Sequence, residues 1–405
     1  MGLARRSATP FRAVASWIPP IHRLRSTRDA LAVQNAELRH ELEHRAFPGS
    51  WIRHHPYGHQ PAGDAGSDGV ATADEDRVLV QRIIDAYARS LDVDYYEEDS
   101  WWHVNRQHLT EVDNALVARD VDAVTRILRT PMENSLLYGY ELFGSEATHY
   151  DGQRWRQEHA DRCKDLLMRL AEALGTLSLE NPEGGPWGEN IELSAEEGIA
   201  RVEKAMSISL PIRPVQHAFH GITARGGVIT ERMIHAAYCA YRVAQLLADT
   251  PNPRVLEIGA GLGYTAYYAA QLGVGSYEIV DLPLTNVAQA YFLGRSLGPD
   301  RIVLEGEGRP ADMSDGVTIR TPRAILEPRA PVDLVMNVDS LTEVGVAQAS
   351  RYADWILEIA PLFLSINHEA NAYRVLDLFT ARGARIERFP YWLRVGYVEE
   401  IIRAR

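Results

Sequence analysis

The chain has 405 residues, 46% of them hydrophobic, which can bury a sizeable core and suggests two or three domains. No apolar run approaches the roughly 20 residues that span a bilayer, and two cysteines are too few for a disulfide framework, so we expect a cytoplasmic protein. The net charge is −13. Residues 1–60 contain nine arginines and four acids, a net charge of +5, so the rest of the chain carries −18. This acidic remainder argues against nucleic acid as the main partner.

Residues 1–76 are predicted to form a basic tail, one short helix and a flexible linker. The first 28 residues show no periodicity, a helical pattern covers about 29–46, and the rest is rich in Gly, His, Pro and Asp. From Arg77 to about residue 206, apolar side chains recur at helical spacing. We therefore predict a helical N-terminal domain over 77–215 that binds substrate or acts as a lid.

After residue 211 the pattern changes to short apolar runs that alternate with helical stretches. A long helix over about 230–247 is predicted first. The strands predicted after it are Arg254–Ile258, Tyr277–Val280, Arg301–Leu304, Val332–Asn337, Leu362–Ile366, Ala384–Phe389 and Arg394–Ile402. Most gaps have room for crossover helices, so residues 216–405 are predicted to form an α/β domain. Its sheet is doubly wound, Rossmann-like and mostly parallel, and an antiparallel C-terminal strand pair closes it.

A glycine-rich loop follows the first of these strands and precedes an Ala-rich helix. Its residues are Gly259, Ala260, Gly261, Leu262 and Gly263. The glycines let the backbone turn tightly and approach a ligand, and the following helix directs its first N–H groups toward that ligand. Asp281 comes at the end of the second strand, where a carboxylate can accept hydrogen bonds from both hydroxyls of a ribose. The pattern predicts a nucleoside-binding site.

Two residues distinguish this loop from that of a dinucleotide dehydrogenase. A dehydrogenase requires Gly or Ala three residues after Gly261, whereas this chain has Tyr264. Glu257, inside the strand, would repel a pyrophosphate but can accept hydrogen bonds near the aminopropyl-sulfonium end of S-adenosylmethionine. We therefore predict S-adenosylmethionine as the cofactor, and a dehydrogenase is the disfavoured alternative.

Four motifs follow one another in this part of the chain: Glu257–Gly263, Asp281–Pro283, Asn337–Glu343 and Ser365–Asn367. They resemble the motifs of class I S-adenosylmethionine-dependent methyltransferases and, more narrowly, those of bacterial sugar O-methyltransferases. The resemblance covers roughly residues 95–405. It implies a Rossmann-like methyltransferase fold and methylation of a sugar hydroxyl on a glycosylated metabolite or glycan precursor. It also implies cofactor contacts at Leu282 and Asn337.

The general base is expected just after the fourth and fifth predicted strands, because ligands bind beyond the carboxyl ends of such sheets. His368 is the first candidate, since its unperturbed pKa suits a base at neutral pH. Asp339 or Glu343 is the alternative base, or orients the imidazole or a sugar hydroxyl. A divalent metal held by these three side chains remains a further alternative, although their spacing matches no tight ligand motif.

Other candidates lie upstream of the glycine loop. His217 and His220 belong to a segment that joins the two predicted domains and is a candidate lid. The aromatic candidates for stacking on a sugar, or for the helical core, are Trp101, Trp102, Tyr138 and Tyr140. Two functional alternatives stay open: N- or O-methylation of a non-sugar small molecule, and a catalytically silent cofactor-fold module. A homodimer is one possible assembly.

Overall fold

The computed structural model describes residues 73–91, 101–131, 136, 153–179, 193–212, 221–310 and 315–404, all within one compact unit. The predicted short helix over 29–46, most of the predicted linker, and His217, His220, Tyr138 and Tyr140 lie outside these residues. No helix in these ranges is both long and apolar enough to cross a membrane. Cys163 and Cys239 are buried, and neither forms a disulfide within the described residues.

Eleven α-helices lie within the described residues, and side chains cap the N-termini of some of them. They are α1 (Ala73–Ser90), α2 (Trp101–His108), α3 (Thr110–Val117), α4 (Val121–Arg129), α5 (Gln153–Ala173), α6 (Ala195–Met206), α7 (Glu231–Leu246), α8 (Tyr264–Gln271), α9 (Pro283–Ser296), α10 (Val346–Ile359) and α11 (Val375–Thr380). Ser194 and Glu197 form a capping box at α6. The Thr230 side chain accepts a hydrogen bond from the backbone N–H of Met233 at α7.

The strands form one hairpin and one large sheet. They are β1 (Ile222–Ala224), β2 (Gly227–Ile229), β3 (Arg254–Ile258), β4 (Ser276–Val280), β5 (Ile302–Val303), β6 (Gly316–Arg320), β7 (Leu334–Val338), β8 (Leu362–His368), β9 (Arg385–Pro390) and β10 (Tyr397–Arg403). The order in the eight-stranded sheet is β5-β6-β4-β3-β7-β8-β10-β9. Within this sheet, β10 runs opposite to the other seven strands, so it pairs antiparallel with both β8 and β9.

The predicted fold class is confirmed: a doubly wound, Rossmann-like sheet, mostly parallel, with an antiparallel C-terminal strand pair and helices N-terminal to it. From β3 the chain adds β4, β6 and β5 on one side, then crosses to β7 and β8 on the other. This reversal leaves a crevice at the carboxyl end of β3, where ligands bind in doubly wound sheets.

One strand of the sheet, β6, was not predicted. The segment predicted as Arg301–Leu304 forms only the two-residue edge strand β5, and β6 lies between β5 and β4. Only Val317 and Ile319 of β6 give an alternating apolar signal, which is too short to stand out after a loop rich in Gly. The β1–β2 hairpin was also not predicted. Arg225 and Gly226 turn it with φ of 49° and 74°, as a tight hairpin requires.

An ion-pair cluster joins the helical region to the sheet domain. Asp76 in α1 is 1% exposed, accepts a hydrogen bond from Arg129 in α4 at 2.6 Å, and lies 3.1 Å from Arg295 in α9. Because α1 begins at Ala73, this residue belongs to the helix and not to the linker predicted to end at residue 76. The first helix therefore packs as part of the same core as the sheet domain.

Candidate active site

A cavity of about 480 Å³ opens at the carboxyl ends of four strands of the sheet. Its wall includes the terminal residues of these strands: Ile258 of β3, Val280 of β4, Val338 of β7 and His368 of β8. Cavities of this size hold a small molecule of roughly cofactor dimensions. The glycine loop forms one side of the cavity, and the segments after β7 and β8 form another.

The glycine loop has the backbone conformation that the sequence pattern requires. Gly259 and Gly261 line the cavity with φ of 71° and 57°. A Cβ on Gly259 would lie 2.1 Å from Oγ of Ser340, which itself donates to the carbonyl of Ile258 at 3.0 Å. Only glycine therefore fits at position 259, for steric as well as conformational reasons.

Asp281 stabilises the loop as well as facing the cavity. Its Oδ2 accepts hydrogen bonds from the backbone N–H of Ala260 and from the Gln289 amide, both at 2.8 Å, and its Oδ1 accepts from the N–H of Leu282 at 2.8 Å. Burial raises the pKa of Asp281 to about 6, against the hydrogen bonds, which lower it. These hydrogen bonds fix the carboxylate against the glycine loop at the wall of the cavity.

Glu257 is a buried acid that faces the cavity. It is 2% exposed, and Oε2 accepts a hydrogen bond from the Tyr277 hydroxyl at 2.8 Å. Burial raises the pKa of Glu257 to about 8, and the negative charge of Asp281 adds to this effect. Among the residues described, no Lys or Arg forms an ion pair with it. A cation in the cavity would supply the missing partner.

The remaining predicted cofactor residues divide into two groups. Ala260 and Leu282 line the cavity. Gly263 and Asn337 do not: Gly263 caps α8 with φ of 84°, and Asn337 is fully buried. The Asn337 amide donates to the carbonyl of Ile258 at 2.8 Å and accepts from Asn367 at 2.9 Å. This side chain positions the ends of three strands and has no surface left for a ligand.

Asp339 lines the cavity at the centre of a cluster of polar side chains. Arg394 donates to its Oδ2 and the Tyr397 hydroxyl to its Oδ1, both at 2.7 Å, and Nε2 of His368 lies 3.7 Å from Oδ1. Asp339 adopts φ of 57°, which is rare for a residue with a side chain and directs the carboxylate into this cluster. With both oxygens bonded, Asp339 is suited to orienting its neighbours and not to accepting a proton.

His368 is poorly arranged for the role of base predicted from the sequence. The backbone N–H of Ala370 donates to Nδ1 of His368 at 3.2 Å, so a neutral ring carries its hydrogen on Nε2. The lone pair that would accept a proton is thus occupied.

Glu343 is the better candidate for the base. It lines the cavity on the wall that follows β7. Desolvation by the surrounding protein, followed by the negative charge of Asp339, raises the pKa of Glu343 to about 7, although Arg232 and Arg394 lower it. A carboxylate with a pKa near the working pH can both hold and release a proton.

Several cavity residues were not singled out from the sequence, among them Asn105, Arg232, Arg394 and Tyr397. They come from α2, α7 and the C-terminal segment, so only the fold brings them together. Of the predicted aromatic residues, Trp101 lines the cavity and Trp102 is fully buried in the core. No cluster of three or more His, Cys, Asp or Glu arranged to hold a metal occurs in the described ranges.

No protein-family model and no curated protein matches this chain. Several solved structures do match part of it. The Thermoplasma acidophilum protein 1320 is 20% identical over 42% of this chain and 89% of that one, with a TM-score of 0.31. Magnesium protoporphyrin IX methyltransferase from Synechocystis PCC 6803, with bound S-adenosylmethionine, is 14% identical over 45% and 87%, with a TM-score of 0.31. The [4+2]-cyclase SpnF is 15% identical over 42% and 80%, with a TM-score of 0.32. At these scores the matches establish neither ligand nor activity for this chain.

Proposed function

We propose that this chain is an S-adenosylmethionine-dependent methyltransferase that acts on a small molecule held in the cavity. One juxtaposition supports this most directly. Three features line one cavity at the carboxyl end of β3, where the strand order reverses. They are the glycine loop, the buried Glu257, which has no cationic partner in the described structure, and Glu343, whose pKa is raised. The first two features suit a cationic nucleoside, and the third suits removal of a proton.

The fit of the cofactor depends on charge. Glu257 offers a buried carboxyl group to a cation, and S-adenosylmethionine carries a sulfonium and an ammonium. A dinucleotide would instead bring an anionic pyrophosphate toward this acid. Tyr264, where a dehydrogenase has a small residue, packs its ring against Phe292 at 5.0 Å between centroids. The cavity thus favours S-adenosylmethionine over NAD.

S-adenosylmethionine supplies a methyl group whose bond to sulfur breaks as a bond to the acceptor oxygen forms, leaving a neutral thioether. The residues of the chain have three tasks. Asp281 and the glycine loop bind the nucleoside, and Glu257 balances the positive charge. Glu343 accepts the proton of the acceptor hydroxyl and later releases it to solvent. Asp339 holds Arg394 and Tyr397 in fixed positions in the part of the cavity that we assign to the methyl acceptor, called the acceptor side below.

For the acceptor we propose a sugar hydroxyl. The acceptor side combines aromatic surface from Trp101 and Tyr397 with hydrogen-bonding groups from Asn105 and Gln348, which suits a polyol ring. Trp101 and Asn105 belong to α2, which supports the assignment of residues 77–215 as a substrate or lid domain beside the cofactor domain of residues 216–405. A non-sugar small molecule is the second candidate, because the same groups can bind any polar aromatic compound.

The test is a pair of calorimetric titrations with S-adenosylhomocysteine and NAD, followed by methyl-transfer assays. We expect S-adenosylhomocysteine to bind and NAD not to. Transfer from S-adenosylmethionine labelled in its methyl group is then measured to a panel of sugars and of non-sugar phenols and amines. Binding of NAD alone would contradict the cofactor assignment. Labelling confined to the non-sugar compounds would contradict the sugar assignment and leave methyl transfer intact.

A further inference from the structure

One arginine that lines the cavity forms no ion pair with any carboxylate in the described part of the chain. Arg232 is half-buried in the first turn of α7. Within the described ranges, its guanidinium has no carboxylate within 4 Å. Arg394, on the same side of the cavity, differs in this respect, because it donates to Asp339 at 2.7 Å. The charge of Asp339 is therefore compensated by Arg394, while Arg232 keeps its bonding capacity for something in the cavity.

The position of Arg232 is unfavourable for the protein alone. The first turn of a helix carries partial positive charge, so a cation there is repelled by the helix dipole. Partial burial also removes part of the hydration of the guanidinium, and no ion pair in the described structure compensates for that loss. A residue that breaks a local rule without internal compensation is expected at a functional site.

Arg232 lies close to the proposed base. Its positive charge lowers the pKa of Glu343 and also acts on Tyr397 and His235. All four side chains line the same cavity. A molecule bound to Arg232 would therefore extend along the wall where Glu343 accepts the proton.

We propose that Arg232 binds an anionic group of the acceptor, a carboxylate or a phosphate, and so selects an acidic or phosphorylated substrate over a neutral one. This inference rests on the proposed function, since it assigns the cavity's second ligand. A guanidinium suits both anions because its parallel N–H groups can bind two oxygens at once. The charged group fixes the molecule at one end, and a hydroxyl elsewhere on it is presented to Glu343.

The experiment uses the full chain saturated with S-adenosylhomocysteine and three calorimetric probes: glucose, glucuronate and glucose 6-phosphate. We expect at least one anionic sugar to bind tenfold or more tightly than glucose, and the tighter of the two identifies the anion. Arg232→Gln should weaken that binding roughly 10- to 100-fold, as expected for a hydrogen bond to a charged group, and Arg232→Lys should weaken it less. Arg254→Gln is the matched control, because this exposed arginine lies at the opposite end of β3.

Titration of S-adenosylhomocysteine into the wild type and each variant distinguishes a failure of the proposed function from a failure of the Arg232 inference. If it does not bind the wild-type protein, the proposed function fails, whatever the sugars do. If it binds the wild type but binds Arg232→Gln at least tenfold more weakly, Arg232 holds the cofactor's own carboxylate and the inference is overturned. Glucose binding as tightly as the anionic sugars, or no binding by any of the three probes, also overturns it. Unchanged affinity for S-adenosylhomocysteine in Arg232→Gln shows that the variant is folded.

Discussion

The backbone N–H of Ala370 lies 3.2 Å from Nδ1 of His368, and this hydrogen bond determines which ring nitrogen carries the proton. With the hydrogen on Nε2, directed toward Asp339, the imidazole can donate into the cluster but cannot accept. We therefore propose that His368, the base favoured by the sequence, is a positioning residue and that Glu343 is the base.

We predict that Glu343→Gln lowers kcat by roughly 10²–10⁴-fold, the range for loss of a general base, while His368→Gln costs less than 10-fold. Both variants should bind S-adenosylhomocysteine normally, because the loop and Asp281 are unchanged. Since Glu343 must be ionised to accept a proton, the wild-type rate should rise as pH increases through about 7. Glu343→Gln should lose this limb and His368→Gln should keep it. Near-normal turnover in Glu343→Gln, with a large loss in His368→Gln, would return the role to the histidine.

A second prediction concerns proton release on cofactor binding. The pKa of Glu257 is about 8 in the ligand-free protein, so this carboxyl group is mostly protonated at pH 7. A cation placed beside it favours the ionised form and lowers that pKa, so binding releases a proton. Affinity for S-adenosylmethionine should therefore increase from pH 6 to pH 8. Calorimetry in two buffers of different ionisation enthalpy measures the release directly. Glu257→Gln is the control and should bind without this proton, and an equal release in that variant would remove Glu257 from the effect.

Asp281 gives a third prediction. Asp281→Ala removes a ligand acceptor and also releases the N–H of Ala260 and the amide of Gln289. Affinity for S-adenosylhomocysteine should fall by about 1.5–3 kcal/mol, or roughly 10- to 150-fold. Asp281→Asn keeps one oxygen and should lose less. Equal affinity of the wild type and Asp281→Ala, measured by calorimetry, would show that the ribose does not contact this residue.

The sequence was sufficient for the features that depend on local pattern. The apolar runs of β3, β4, β7 and β8 predict the parallel sheet, and the glycine spacing predicts the loop at the end of β3. The sequence could not predict side-chain contacts between residues that are far apart in the chain. Nothing in the pattern shows that Arg394 occupies one oxygen of Asp339. Arg232 did carry a local signal, a cation in a helix's first turn, but that it forms no ion pair with the described residues is a property of the fold.

The last prediction concerns the free energy of unfolding. It compares two Asp–Arg ion pairs, one buried and one exposed, that join the same two helices. Asp76 pairs with Arg129 across α1 and α4 at 1% exposure, whereas Arg77 and Asp122 join the same helices with exposed side chains. Removing one partner of a buried pair costs about 3–5 kcal/mol, and an exposed pair contributes about 0–1 kcal/mol.

Asp76→Asn should lower the free energy of unfolding by about 3 kcal/mol, near the bottom of that range, because Arg129 and Arg295 keep partial access to water. Asp122→Asn should lower it by less than about 1 kcal/mol. Urea denaturation of the three proteins measures the difference. A chain shortened to begin at Arg77 lacks Asp76 and should be destabilised like Asp76→Asn, whereas one beginning at Ala73 keeps the cluster. Equal losses in the two point variants would show that the cluster contributes no more than a surface pair.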